Sequence, residues 1–185
     1  VKEKIFPLKD ILVEQYDADY EINEETLSVW RYVKGARKEY RIRKRDREIV
    51  GEDIWKLYKE CMKSQNQDFW DSNAHIFDEI IGQNGSYRYV EGPIAFPDNL
   101  DRPSRTVVTQ EIGRTPDRMR HIIRLESGIW RRLMPIELER LNMFPDKWTK
   151  IEGISPSRRG FLMGNALVVG IIQRIRVPLQ ELLNS

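Results

Sequence analysis

The sequence predicts a mixed α+β chain with short strands and a few helices, and three observations carry that expectation. β-Prone runs recur at residues 87–90, 106–109 and 120–124; apolar residues fall at helical spacing over 24–33, over 52–63 and from Pro135 onward; and Gly and Pro punctuation keeps each element brief. At 185 residues the chain can hold one ordinary domain with its own core, or a smaller domain with a long appendage. A hydrophobic fraction of 40% with five Trp and six Phe excludes disorder throughout, although 32% of the residues are charged.

Asn23 is a good N-cap for a helix that has acids in its first turn, Glu24 and Glu25, and Gly35 as its stop. Residues 34–47 then carry Arg37, Lys38, Arg41, Arg43, Lys44, Arg45 and Arg47, with Tyr40 and Ile42 alternating against charges as in an exposed strand. Over 52–63, Ile54, Leu57, Tyr58, Cys61 and Met62 share one helical face, which makes Cys61 a core residue. Gln83-Asn84-Gly85-Ser86 is a strong turn signal, 87–90 reads as a strand, and 92–98 reads as an irregular connection. Pro135 suits the first position of a helix with Glu137 in its first turn, and Pro145 ends it. Asn165 can cap a last helix whose Leu167, Val168, Ile171, Ile172 and Ile175 form an apolar stripe running to about Arg176, before Pro178.

The net charge of +2 hides a local bias: acids gather near the amino end and Arg in two later stretches, so a polyanionic partner is plausible. One cysteine excludes an internal disulfide, and two histidines without a Cys pair argue against a structural zinc site, so the cytoplasm is the expected compartment. The opening lacks an apolar signal region, and the longest apolar stretch, 166–172, is too short to cross a bilayer; a soluble protein with no membrane partner is expected. The chain opens on Val1 with a segment that reads like the middle of a longer one, so a fragment, a processed chain or a second subunit is expected.

Residues 131–146, Arg-Arg-Leu-Met-Pro-Ile-Glu-Leu-Glu-Arg-Leu-Asn-Met-Phe-Pro-Asp, are followed at 163–169 by Met-Gly-Asn-Ala-Leu-Val-Val. In that order they closely resemble the ninth and tenth motifs of DNA cytosine-5 methyltransferases. Pro103-Ser104-Arg105-Thr106-Val107 is similar to the Thr-Leu type element of that family's target recognition domain. Glu111 and Ile112 stand where the family loop has glycine, and Met134 replaces a Thr whose hydroxyl cap is worth ~1 kcal/mol. The resemblance implies a connector at 1–22, a target recognition domain at 23–130, a scaffold helix at 131–150 and a tenth-motif segment at 151–185 that packs on a separate Rossmann-like catalytic domain.

It also implies chemistry. The family attacks cytosine C6 with a Pro-Cys thiolate, steadies the base with a Glu and methylates C5 from S-adenosylmethionine, after flipping the base out of the duplex. This sequence has no Pro-Cys, no Glu-Asn-Val and no Gly-rich strand-to-helix turn, so no residue is assigned a catalytic role. What the resemblance leaves is DNA reading, with double-stranded DNA and a catalytic domain or subunit as partners. Arg105, Arg114, Arg118, Arg120 and Arg124 are candidates for phosphates or base edges, and Thr106, Gln110 and Thr115 are neutral candidates beside them. Asn165 and Ala166 are expected beside S-adenosylmethionine shared with the catalytic half, or simply at a helix start. Residues 34–47 suit a DNA flank, a solvated face or a lid on the missing half; Trp55, Trp70, Trp130 and His121 read as structural. The reading that follows is the recognition half of a restriction-modification cytosine-5 methyltransferase. The alternative is a catalytically inactive, sequence-specific DNA-binding remnant.

Overall fold

A computed structural model describes residues 6–80 and 87–184. In chain order the helices are α1 (Glu24–Lys34), α2 (Arg47–Val50), α3 (Glu52–Ser64), α4 (Gln67–Ser72), α5 (Ala74–Asp78), α6 (Pro135–Leu141), α7 (Pro156–Asn165) and α8 (Val169–Leu183). The strands are β1 (Arg37–Arg41), β2 (Tyr87–Glu91), β3 (Ile122–Arg124) and β4 (Trp130–Arg132). The described residues are thus mostly helical, with small antiparallel two-stranded sheets, β1 with β2 and β3 with β4. The turn signal at 83–86 lies outside the described residues.

The chain divides into two compact units. One is the insertion Glu24–Ile94 together with Pro116–Arg118. Its core gathers Tyr40, Ile42, Val50, Cys61, Trp70 and Phe77, with Tyr40 stacked on Phe77 at 5.1 Å between ring centroids. Burial of each such apolar side chain contributes about 1.5–3 kcal/mol. The expected strand at 34–47 forms only over β1, paired Arg37 to Glu91 and Arg41 to Tyr87. Tyr40 and Ile42 are buried, so this is not the exposed strand that alternation suggested. Met62, placed with Cys61 by periodicity, is exposed.

The other unit joins residues up to Asn23 with Ala95–Thr115 and the chain from Met119 onward. Leu8, Tyr20, Ile112, Ile123, Leu133, Leu138 and Met163 form its core. Glu21 bridges to Arg131, and the Ile22 amide donates to the Trp130 carbonyl at 2.8 Å, which adds the leading segment to the β3–β4 hairpin. Gly128, at φ 89°, lets that hairpin turn.

Local expectations fail at several points. Residues 106–109 form no strand, because the Val108 amide is taken by Glu111 Oε2 at 3.3 Å and the Val108 carbonyl by the Glu111 amide at 3.2 Å, which closes a turn instead. Asn165 does not cap the last helix; it is the final residue of α7, a helix absent from the sequence expectation that has Ser155 as N-cap and Pro156 at its first position. The last helix starts at Val169 and runs through Pro178 to Leu183 rather than ending near Arg176. By length and composition alone Pro156–Leu183 reaches the size of a membrane span, beyond what the 166–172 stretch suggested. It is however two helices broken at 166–168, and the 15 residues of α8 extend about 22 Å at 1.5 Å each, short of a ~30 Å hydrocarbon layer.

Candidate nucleic-acid interface

The loop from Ser104 to Thr115 is held from beneath by two buried carboxylates. Asp98 accepts from Arg105 Nε at 2.6 Å and Nη2 at 3.2 Å and from the Ile122 amide at 2.8 Å. Glu111 Oε1 accepts the His121 amide and lies 2.9 Å from His121 Nδ1, and the opposite ring nitrogen lies 2.9 Å from Ser104 Oγ. Glu111 and His121 are fully buried, so each polar atom needs the partner it has. The loop's second half wraps Arg120, whose guanidinium donates to the carbonyls of Gln110 (2.6 Å) and Thr115 and to Thr115 Oγ1 at 3.1 Å. A Cβ on Gly113 would stand 2.1 Å from Arg120 Nη2, so only glycine leaves room for that brace.

Helix α7 closes the loop from the other side. Gly160 and Gly164, one helical turn apart, bring its backbone against Ile112 and against the Val108–Thr109 backbone; a Cβ on Gly164 would meet the Thr109 nitrogen at 2.4 Å. The glycine of Gly-Asn-Ala is therefore a close-packing residue for this loop.

The charged residues of 131–146 are joints. Arg131 and Glu137, both fully buried, form a two-point pair at 2.8 and 2.7 Å; Glu137 also accepts the amides of Val13 (3.1 Å) and Met134 (2.7 Å), and Tyr16 covers the guanidinium. The last of these bonds supplies the carboxylate half of a capping box where Met134 offers no hydroxyl. Arg140 grips Asp146 at 2.8 and 2.7 Å and donates to the Ile11 carbonyl at 3.0 Å. Glu139 accepts from Arg159 at 2.7 Å and from the amides of Lys147 (2.7 Å) and Thr149 (3.0 Å). Burial pushes the Glu139 carboxyl upward, but the Arg159 and Thr149 hydrogen bonds outweigh it and hold the group below its ordinary range.

Among the residues singled out in the sequence, three arginines face inward. Arg105 spans Asp98 and the Met119 and Arg120 carbonyls, and Arg120 fills the loop. Arg118, in the insertion unit, donates to the carbonyls of Val33, Gly35 and Gly92 and lies 2.7 Å from Glu91. Thr106, Gln110, Arg114 and Thr115 are exposed along the one loop. Arg114 meets Asp19 at 2.6 Å, a pair whose side chains remain 74% and 65% accessible. Arg124 is exposed on the hairpin, 5.7 Å over the Trp130 ring, which itself stacks on Phe96. Asp98, Glu111 and Glu139 were given no bracing role from the sequence, since nothing in a carboxylate's local sequence reveals partners such as Ile122, His121 and Arg159, ten or more residues away. The four-residue spacing of Gly160 and Gly164 was the legible signal for α7 packing.

Cys61 is fully buried in the insertion core, and burial with Glu60 nearby pushes its thiol up to about 11. Asn165 is exposed and donates to the Phe161 carbonyl at 2.9 Å, and Ala166 packs at the edge of the larger unit's core. Together they present one amide oxygen and a methyl, enough to flank a nucleoside cofactor and too little to hold one.

Residues 2–181 match the model of the C-5 cytosine-specific DNA methylase family. The chain belongs to that family. The chain is also 43% identical over 96 residues to the type II methyltransferase M.Sau3AI of Staphylococcus aureus, an alignment covering 52% of this chain and 22% of that protein. The aligned stretch spans under a quarter of that relative's length. No solved structure matches the chain.

Proposed function

We propose that this chain is the DNA-recognition part of a cytosine-5 methyltransferase of restriction-modification type, acting in the cytoplasm on duplex DNA. The observation that carries the reading is Cys61: the sequence contains one cysteine, and its thiol is sealed in an apolar core, where the thiolate that would attack cytosine C6 is disfavoured. The nucleophile and the pocket for S-adenosylmethionine then come from a catalytic part outside these residues. Residues 23–130 act as the recognition domain, entered through 1–22; residues 131–150 join it to the catalytic part, and 151–185 dock on that part.

Thr106, Gln110, Arg114 and Thr115 meet the duplex from the 104–115 loop, and Arg124 adds a contact from the hairpin. Arg105, Arg118 and Arg120 serve the same reading as internal braces. Asn165 and Ala166 flank S-adenosylmethionine, which supplies the methyl group once the catalytic part holds it. The exposed apolar face of α8, with Ile171, Ile172, Ile175, Leu179 and Leu182, fits that docking.

The test combines the chain with a catalytic part carrying Pro-Cys and the cofactor site, and measures transfer of labelled methyl groups to duplex DNA. Transfer that requires both parts and survives Cys61→Ser supports the reading. A stable complex that never transfers methyl groups while the chain alone binds a specific sequence favours a binding-only remnant.

A further inference from the structure

We infer that Arg43, Lys44 and Arg45 form a sequence-independent contact to the phosphodiester backbone of duplex DNA, carried by the insertion unit; the inference rests on the proposed role in DNA recognition. Residues 34–47 carry eight cations, and the fold engages four of them. Arg37 pairs with Glu91 at 3.0 Å and Glu39 at 3.5 Å, and Arg41 pairs with Glu39 at 2.7 Å and covers Tyr89. Arg47 grips Glu52 through two nitrogens at 2.9 and 2.7 Å, and buried Lys34 donates to the Arg118 carbonyl at 2.7 Å.

Lys38 stays exposed on β1, and beyond it three consecutive cations are left over. Arg43, Lys44 and Arg45 are all exposed, on and just before the short 3-10 turn Lys44–Asp46. The turn is anchored at both ends, because Ile42 and Asp46 are buried and the Asp46 amide donates to the Arg43 carbonyl at 2.9 Å. The only carboxylate in ion-pair range among the described residues is Asp46, 3.6 Å from Arg45 Nε, and the Arg45 side chain stays 72% accessible. Among the described residues the buried polar group beside these side chains is the Asp46 carboxylate, which would repel a small anion. An extended polyanion with a charge at every step is the ligand that uses three adjacent cations, and the family acts on DNA. Cations placed on phosphates fix position without reading bases, so a backbone contact by these three adds affinity and not sequence.

Fluorescence anisotropy of the 185-residue chain with a labelled random-sequence duplex, over a salt series, tests this. The triple substitution Arg43→Gln, Lys44→Gln, Arg45→Gln should weaken binding about tenfold or more at low salt and flatten the logarithmic salt dependence by about 2–3, at ~0.9 per phosphate released. Arg47→Gln, which removes a cation already engaged, should change the slope by less than about one. Circular dichroism should show the triple variant folded; if it is not, Lys44→Gln with Arg45→Gln should flatten the slope by about 1–2. An unchanged slope overturns the inference, as does failure of the unsubstituted chain to bind random duplex. A loss of binding to anionic vesicles with none to DNA overturns it in favour of a lipid surface. The recognition reading is judged separately by methyl transfer, so either can fail alone.

Discussion

Glu111 Oε1 lies 2.9 Å from His121 Nδ1 with both side chains closed to solvent, and the same oxygen accepts the His121 amide. The contact ties the middle of the 104–115 loop to the strand that follows it. Glu111→Ala strands the imidazole and the amides of Val108 and His121 in the interior, where each unmet group costs about 1–3 kcal/mol. Urea denaturation of the chain should register a loss of about 3 kcal/mol, and sequence-selective DNA binding should fall more than binding to random duplex.

Arg131 and Glu137 supply the second prediction. Removing one partner of a buried, two-point pair leaves an uncompensated charge and costs about 3–5 kcal/mol, whereas replacing both with apolar residues restores much of the loss. Arg131→Met and Glu137→Leu should each shift the denaturation midpoint strongly downward. The double variant should recover toward the original stability, and strictly additive losses would show that the two side chains are not coupled.

Gly164→Ala sets helix α7 against the loop. The new Cβ would stand 2.4 Å from the Thr109 nitrogen and 2.5 Å from the Val108 carbonyl carbon, both backbone atoms, so the loop must move. The overpacking costs about 1–3 kcal/mol, against the ~1 kcal/mol that Ala gains over Gly inside a helix. In the reconstituted methyl-transfer assay the variant should discriminate less between sequences while its helical circular dichroism is retained.

Cys61 gives a prediction in pH. Its folded thiol is held up to about 11, so the folded state keeps the proton over a range where the unfolded chain, with an ordinary thiol near ~8.5, has lost it. The stabilising contribution is complete below the unfolded value and is lost as pH rises through the folded one. Stability should therefore drop between about pH 8.5 and 11 more steeply than in Cys61→Ala. Iodoacetamide at pH 8 should label Cys61 only after unfolding in urea; rapid labelling of the folded chain would refute its burial.

The sequence by itself determined the family motifs, the periodic helices over 24–33 and 52–63, the burial of Cys61 and a β-prone run at 120–124. Each of those rests on local spacing: apolar residues every three or four positions, a cap, or a contiguous motif. Tertiary structure decided what the charged residues do. Arg105, Arg118 and Arg120 look like DNA ligands in the sequence because a guanidinium's pattern is the same whether it meets a phosphate or a carbonyl, and only the fold brings Asp98, Gln110 and Gly92 to them. It also turned 106–109 from a strand into a turn, since the Glu111 carboxylate captured the Val108 amide that a ladder would need. Distant partners decide such cases, and a local pattern holds no record of distance.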